Sequence, residues 1–157
     1  MKINEIKNIY YAAYGHNTNS KEMLRRCPSA VLVGGGIIKG FHLTFKHFAN
    51  IEQKNGEECF VVVWRINAKD LKTLDRDEVF DKNYDRIEVD VIVDKKTLRA
   101  YIYTMDPKYH DSHPPTEQYI KWLVKGYREH NLPLDQIKTA IDELLKKRKL
   151  NHYRTVK

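Results

Sequence analysis

Ile9 to Tyr14 runs almost without a polar residue and predicts a short buried strand, which ends in Gly15-His16-Asn17. Asn19 follows, placed to cap a helix, with Glu22 three residues on to reach back to it. That helix carries Met23 and Leu24 inward and stops before Pro28. Val31 to Val33 and Ile37-Ile38 flank Gly34-Gly35-Gly36, a turn or a bulge. Phe41, Leu43 and Phe45 then alternate with His42, Thr44 and Lys46, as a strand buried on one face does. The polar stretch Asn50 to Glu58, with Gly56, reads as a loop.

Cys59 to Ile66 is β-branched and aromatic, a central strand buried on both faces. Asn67 caps a short helix to about Asp75, with Asp70 at its third position and Leu71 and Leu74 on its apolar side. Ile87, Val89, Val91 and Val93 alternate with Glu88, Asp90 and Ile92, and Leu98, Ala100 and Ile102 alternate with Arg99, Tyr101 and Tyr103 across a turn at Asp94-Lys95-Lys96. After the loop from His110 to Pro115 the period changes from two to 3.6. Tyr119, Leu123 and Tyr127 face one side of a helix that ends near Asn131. Leu132-Pro133 breaks it, and Ile137, Ile141, Leu144 and Leu145 stripe a last helix. Roughly six strands, two short helices and two longer closing helices predict an α+β fold, a mixed or antiparallel barrel-like sheet with peripheral helices.

A chain of 157 residues with no linker, repeat or low-complexity segment reads as a single domain over 1–157. No apolar run approaches the ~20 residues of a membrane span, and Met1 to Asn8 lacks a signal-peptide core, so no membrane partner is expected. Two cysteines, Cys27 and Cys59, make neither a disulfide scaffold nor a metal pattern, which points to the reducing cytoplasm. The net charge of +7 is localised. Residues 146–157 form a basic tail (Lys146, Lys147, Arg148, Lys149, Arg154, Lys157) without an acid, and the rest is nearly neutral. A solvated helix end, favoured by the helix dipole, explains that tail better than nucleic acid does, since nucleic-acid binding spreads charge over a face.

The candidate chemistry narrows by exclusion. Gly34 to Gly40 fits neither a dinucleotide fingerprint nor a phosphate loop, and no Gly-x-Ser-x-Gly elbow is present. His110, Asp111 and His113 read as an exposed loop, and Cys27, at a helix C-terminus, as a buried structural thiol. Two features remain. Tyr14-Gly15-His16-Asn17 is either an ordinary strand-to-helix turn or one that aims successive N–H groups at an anion. Asp75, Asp77 and Glu78 are either an exposed helix end or, if one is buried, the source of a base poised near neutrality.

These residues carry a resemblance to the gamma-glutamylcyclotransferase-like superfamily over most of the chain. Tyr11-Ala12-Ala13-Tyr14-Gly15-His16-Asn17 resembles its Tyr-Gly-Ser-Asn loop, and Arg26-Cys27-Pro28-Ser29-Ala30 its Arg-x-Pro-Ser/Gly-Ala segment. Phe60-Val61-Val62-Val63-Trp64 resembles its central strand. Leu74-Asp75-Arg76-Asp77-Glu78 with Tyr84 resembles its Leu-Asp-x-x-Glu-Gly segment and following tyrosine. Pro114 to Tyr119 and Asn131 to Leu134 are most similar to the gamma-glutamylcyclotransferase branch. His16 stands where the family usually has Ser, and Val79 where it usually has Gly.

The resemblance implies an enzyme that cyclises a gamma-glutamyl amide, a dipeptide or amine conjugate, to 5-oxoproline, with no metal or cofactor. It implies Glu78 as the acid–base group and Tyr11, Ala12, Ala13, Tyr14, Gly15, His16 and Asn17 as the substrate-binding wall. Tyr84, Tyr101 and Tyr119 line the pocket on that reading, and Asp75 and Asp77 are solvent-facing or helix-end groups. The competing classes are a non-catalytic small-molecule binder on the same fold and a nucleic-acid-associated protein working through its tail. Monomer and homodimer are both open.

Overall fold

The computed structural model describes residues 8–80 and 84–156, with the backbone alone for 79, 80 and 151–156. The N-terminal segment read for a signal peptide lies almost wholly outside them, as do the side chains of Val79, Arg154 and Lys157.

Five strands close into a barrel. They are β1 (Ile9–Ala13), β2 (Val31–Lys46), β3 (Phe48–Ile66), β4 (Tyr84–Val93) and β5 (Lys96–Met105), in the spatial order β1-β3-β2-β4-β5. All neighbours are antiparallel except the closing pair, where β1 meets β5 in parallel at Tyr11 and Tyr101. The helices are α1 (Ser20–Arg26), α2 (Ala68–Asp75), α3 (Glu117–Glu129) and α4 (Asp135–Val156). None among the described residues is long and apolar enough to cross a membrane.

The described residues form five strands, not six, because the segments expected around the three glycines and from Phe41 onward are one strand. β2 stays paired with β3 through two irregularities, at Leu32/Gly34 and Lys39/Phe41. The second corrects the expected loop at Asn50 to Glu58. Those residues belong to β3, and Gln53 and Glu58 pair with Phe41 and Lys39, so only 54–57 swing out of register. Polarity misled here because 53–58 are solvent-exposed, while Asn50 to Gln53 and Glu58 still pair with β2.

Elsewhere the pattern holds with three exceptions. Ile87 at the start of β4 is exposed. So are Leu24 of α1 and Leu145 of α4, because each follows a buried residue, Met23 or Leu144, and points about 100° away from it around the helix. From Cys59 to Trp64, β3 is buried almost without interruption, because β1 and β2 flank it, Gln136 bonds the Phe60 main chain and Trp64 lies against His130. On β4, Val89, Val91 and Val93 are buried while Glu88 and Asp90 are exposed. The β4–β5 turn has Asp94 and Lys95 at φ 49° and 67°, the two left-handed residues of a tight hairpin. Asn131, at φ 56°, ends α3, and the α3–α4 break falls at Leu132-Pro133. The basic tail extends α4, with Lys146, Lys147 and Lys149 exposed along it.

Candidate active site

The site begins where β1 stops. After Tyr14 and Gly15 the chain enters a single 3₁₀ turn, His16–Thr18. Thr18 secures that turn by donating its N–H and its hydroxyl to the Gly15 carbonyl, at 3.0 and 2.7 Å. The Trp64 indole N–H donates to the Asn17 carbonyl at 3.0 Å, tying the turn to the central strand. Asn19 then caps α1, accepting from the Glu22 N–H at 3.3 Å. Two glycines allow the close packing. A Cβ on Gly15 would lie 3.0 Å from the Ala49 Cβ and 3.3 Å from the Tyr119 hydroxyl. A Cβ on Gly126 would meet Thr18 Oγ1 at 2.3 Å, so α3 lies directly on the turn.

Glu78 arrives from the other side. Asn67 and Asp70 form a reciprocal capping box that starts α2. The helix widens into a π-helical turn over Arg76–Phe80, an irregularity that recurs at functional sites. Four residues beyond the fully buried Leu74, Glu78 is itself 8% exposed. Its two acidic neighbours differ. Asp77 meets Arg76 at 3.3 Å near the surface, as a helix-end group would. Asp75 is not simply solvent-facing: Oδ1 accepts from the Tyr103 hydroxyl at 2.7 Å and Oδ2 from Arg86 Nη1 at 2.6 Å.

Between these two elements lies a cavity with about 370 Å³ of empty space, its mouth included. Of the expected residues, Tyr11, Ala12, Tyr14, Gly15, His16, Asn17, Glu78, Tyr84 and Tyr119 line it. Ala13 and Tyr101 do not. Tyr101 lies on the same strand face as Tyr103 but one rung further away, with the Arg86 guanidinium 4.6 Å above its ring. Tyr103 takes the place expected of it, and Ala49 completes the wall. The alternation of β5 puts both tyrosines on one face, so the signal for Tyr103 was present; only the barrel decides which of the two reaches the cavity.

Burial dominates the electrostatics. It holds the Tyr11, Tyr14, Tyr84, Tyr103 and Tyr119 hydroxyls well above the usual tyrosine range. A smaller contribution in the same direction comes from the Glu78 charge at four of them and from the hydrogen bond to Asp75 at Tyr103. All five therefore stay protonated at neutral pH. Burial likewise pushes the Cys27 and Cys59 thiols up to about 12, so neither is a nucleophile at neutral pH.

His16 is held firmly at the cavity wall. Its ring stacks on Trp122, centroids 4.8 Å apart and planes within 6°, and meets Tyr119 edge-on at 6.0 Å. Arg26 Nη2 lies 3.1 Å from Nδ1, and Glu22 Oε2 lies 3.6 Å from Nε2. Arginine can only donate, so Nδ1 accepts and the neutral ring carries its proton on Nε2, toward the carboxylate. Trp122 and Arg26, both unassigned from sequence, thus fix the one side chain that departs from the loop pattern. Among the described residues no group of three or more His, Cys, Asp or Glu side chains is arranged to hold a metal ion.

Residues 58–139 match the model of the AIG2-like family. Over 141 residues the chain is 33% identical to the gamma-glutamylcyclotransferase of Homo sapiens, covering 80% of this chain and 73% of that protein. The Mus musculus enzyme of the same name is also 33% identical, over 139 residues, covering 78% and 72%. A solved gamma-glutamyl cyclotransferase structure superposes with a TM-score of 0.74 at 30% identity, covering 85% of this chain and 86% of that one. Barrel and matches together define the class, a gamma-glutamylcyclotransferase-like enzyme. The chain belongs to the AIG2-like family, within the gamma-glutamylcyclotransferase-like superfamily.

Proposed function

We propose that this enzyme converts a gamma-glutamyl amide, a dipeptide or an amine conjugate, into 5-oxoproline and the free amine or amino acid. The substrate's α-amine attacks its own γ-carbonyl carbon. A C–N bond closes the five-membered ring, and the original amide C–N bond breaks. The α-nitrogen sheds two protons, one as its ammonium becomes the attacking amine and one as the ring N–H forms. The departing nitrogen gains two and leaves as an ammonium, so the step balances without metal or cofactor. Because attack is intramolecular, holding a folded near-attack conformer supplies much of the acceleration.

Glu78 is the group that takes the first proton and returns it to the leaving nitrogen. The main chain of Gly15, His16 and Asn17, with the hydroxyls of Tyr11 and Tyr119, holds the carboxylate and the developing oxyanion. The observation that carries this reading is the burial of Glu78 in the cavity walled by Gly15, His16 and Asn17. Two buried free thiols suit a reducing compartment, and we place the enzyme in the cytoplasm on that basis. Incubating the protein with a panel of gamma-glutamyl dipeptides and amines and assaying 5-oxoproline tests the proposal. Stoichiometric release of 5-oxoproline and amine is expected, and its absence across the panel would reject the reading.

A further inference from the structure

The cavity tyrosines differ in where their protons point, and their partners settle each case. Arg26 Nη1 donates to Asn17 Oδ1 at 2.5 Å, which turns Asn17 Nδ2 to the Tyr11 hydroxyl at 3.0 Å. The Tyr11 oxygen therefore accepts, and its own proton remains available to the cavity. Tyr119 is in the same position, accepting from the Ala49 N–H at 3.1 Å. Tyr14 and Tyr84 are the opposite: each donates to a main-chain carbonyl, of Tyr103 and Ala49 respectively. Tyr103 also donates, but to a side chain, Asp75, whose second oxygen is taken by Arg86.

We propose that Asp75 is a positioning residue that sets the polarity of one end of the cavity by taking the Tyr103 proton. With that proton engaged, Tyr103 presents only lone pairs to the substrate. Tyr103 and Glu78 then form the accepting end, which receives the substrate's α-amine. Tyr11 and Tyr119, packed against the Gly15–Asn17 wall, form the donating end for its carboxylate or carbonyl oxygen. The orientation of the substrate follows from which hydroxyls have a proton to give. This inference rests on the cyclisation reading above.

Asp75→Asn inverts one atom of this arrangement without changing volume. Arg86 still requires an acceptor, so the amide oxygen turns to Arg86 and the amide NH₂ to Tyr103. Tyr103 then accepts from residue 75 and directs its own proton into the cavity, against the substrate ammonium. Asp75 is partly exposed and the exchange is isosteric, so the fold is retained, which the thermal midpoint checks. Tyr103→Phe removes the hydroxyl that transmits the effect.

The test compares wild type, Asp75→Asn, Tyr103→Phe and the double variant on the gamma-glutamyl amide that gives most 5-oxoproline. Asp75→Asn is expected to lower kcat/KM by roughly 10- to 100-fold, the scale of a hydrogen bond to a charged group. In the Tyr103→Phe background the same change should cost less than about twofold, because no hydroxyl remains to be turned. Calorimetric titration of the four proteins with that amide, or with gamma-glutamylglycine if none turns over, should show the same non-additivity in Kd. Equal losses in both backgrounds, or an Asp75→Asn protein within about twofold of wild type, would overturn the proposal. A wild-type chain that binds with this non-additivity but releases no 5-oxoproline would overturn the reaction and leave the polarity standing.

Discussion

Two of the places where titratable side chains gather are the tyrosine-lined cavity and the groove between the β2–β3 hairpin and α4. In the groove, His42 lies 3.5 Å from Glu57 and 3.9 Å from Glu143, with Glu58 and Asp135 nearby. The groove has the greater charge, yet Glu57 and Glu143 are 44% and 36% exposed, and water can replace each partner. In the cavity the groups are buried, and each tyrosine hydroxyl has one assigned partner in the protein. The difference is one of direction. Solvated charges can rearrange around any ligand, whereas buried hydroxyls keep donor and acceptor sides fixed. Gln136 touches both regions, bonding Phe60 in the groove and donating to the Tyr127 hydroxyl at 2.9 Å, which in turn donates to the Tyr14 carbonyl.

The contrast is tested hardest by Glu78→Gln. It keeps volume but removes the proposed proton carrier, so kcat should fall by roughly 100- to 10,000-fold with far less change in KM. Steady-state kinetics that left kcat within a few-fold would move the base elsewhere.

Gly15→Ala comes next. A methyl group 3.0 Å from the Ala49 Cβ must push the wall or Tyr119 aside, and a displacement of that kind costs up to about 100-fold in turnover. Overpacking should also lower stability by about 1–3 kcal/mol, read from denaturant melts.

Alkaline pH gives a smaller, graded effect. The folded chain keeps the protons of its buried tyrosines, Tyr127 included, above the value near 10 at which an unfolded tyrosine loses them. Above that pH the unfolded state binds fewer protons, so stability is full below about pH 10 and declines as pH rises further. Tyrosinate absorbance should show fewer ionised rings in the native than in the denatured protein at the same alkaline pH.

Glu57→Gln should do least. An exposed pair contributes about 0–1 kcal/mol, so the melt should barely move and turnover should be unchanged. A loss of turnover comparable with that of the cavity variants would erase the distinction between the two regions.

Much of this was local enough to be read from one dimension. Asn19 and Asn67 cap helices because the residues they bond are three positions away, and the spacing is visible without a fold. The turn read at Asp94-Lys95-Lys96, which narrows to Asp94 and Lys95, the strand read at Cys59 to Ile66, buried on both sides as far as Trp64, and the period change after Pro115 are local in the same sense. The motif residues from Tyr11 to Asn17, with Glu78, Tyr84 and Tyr119, all came with the family pattern, and all but Ala13 line the cavity.

What the chain did not disclose depends on contacts between distant segments. The stretch read as a loop at 50–58 is held in β3 by β2, which pairs with Asn50 to Gln53 and with Glu58. Tyr103 rather than Tyr101 reaches the cavity because closure of the barrel sets how far each rung stands from Glu78. Asp75 binds Tyr103 across 28 positions, Arg26 orients Asn17 across nine, and Trp122 meets His16 from a different helix. Spacing along a chain encodes hydrogen bonds within a turn of helix or a hairpin. The direction of a hydroxyl proton is set by whichever donor or acceptor the tertiary structure brings beside it, and that partner is not a neighbour in sequence.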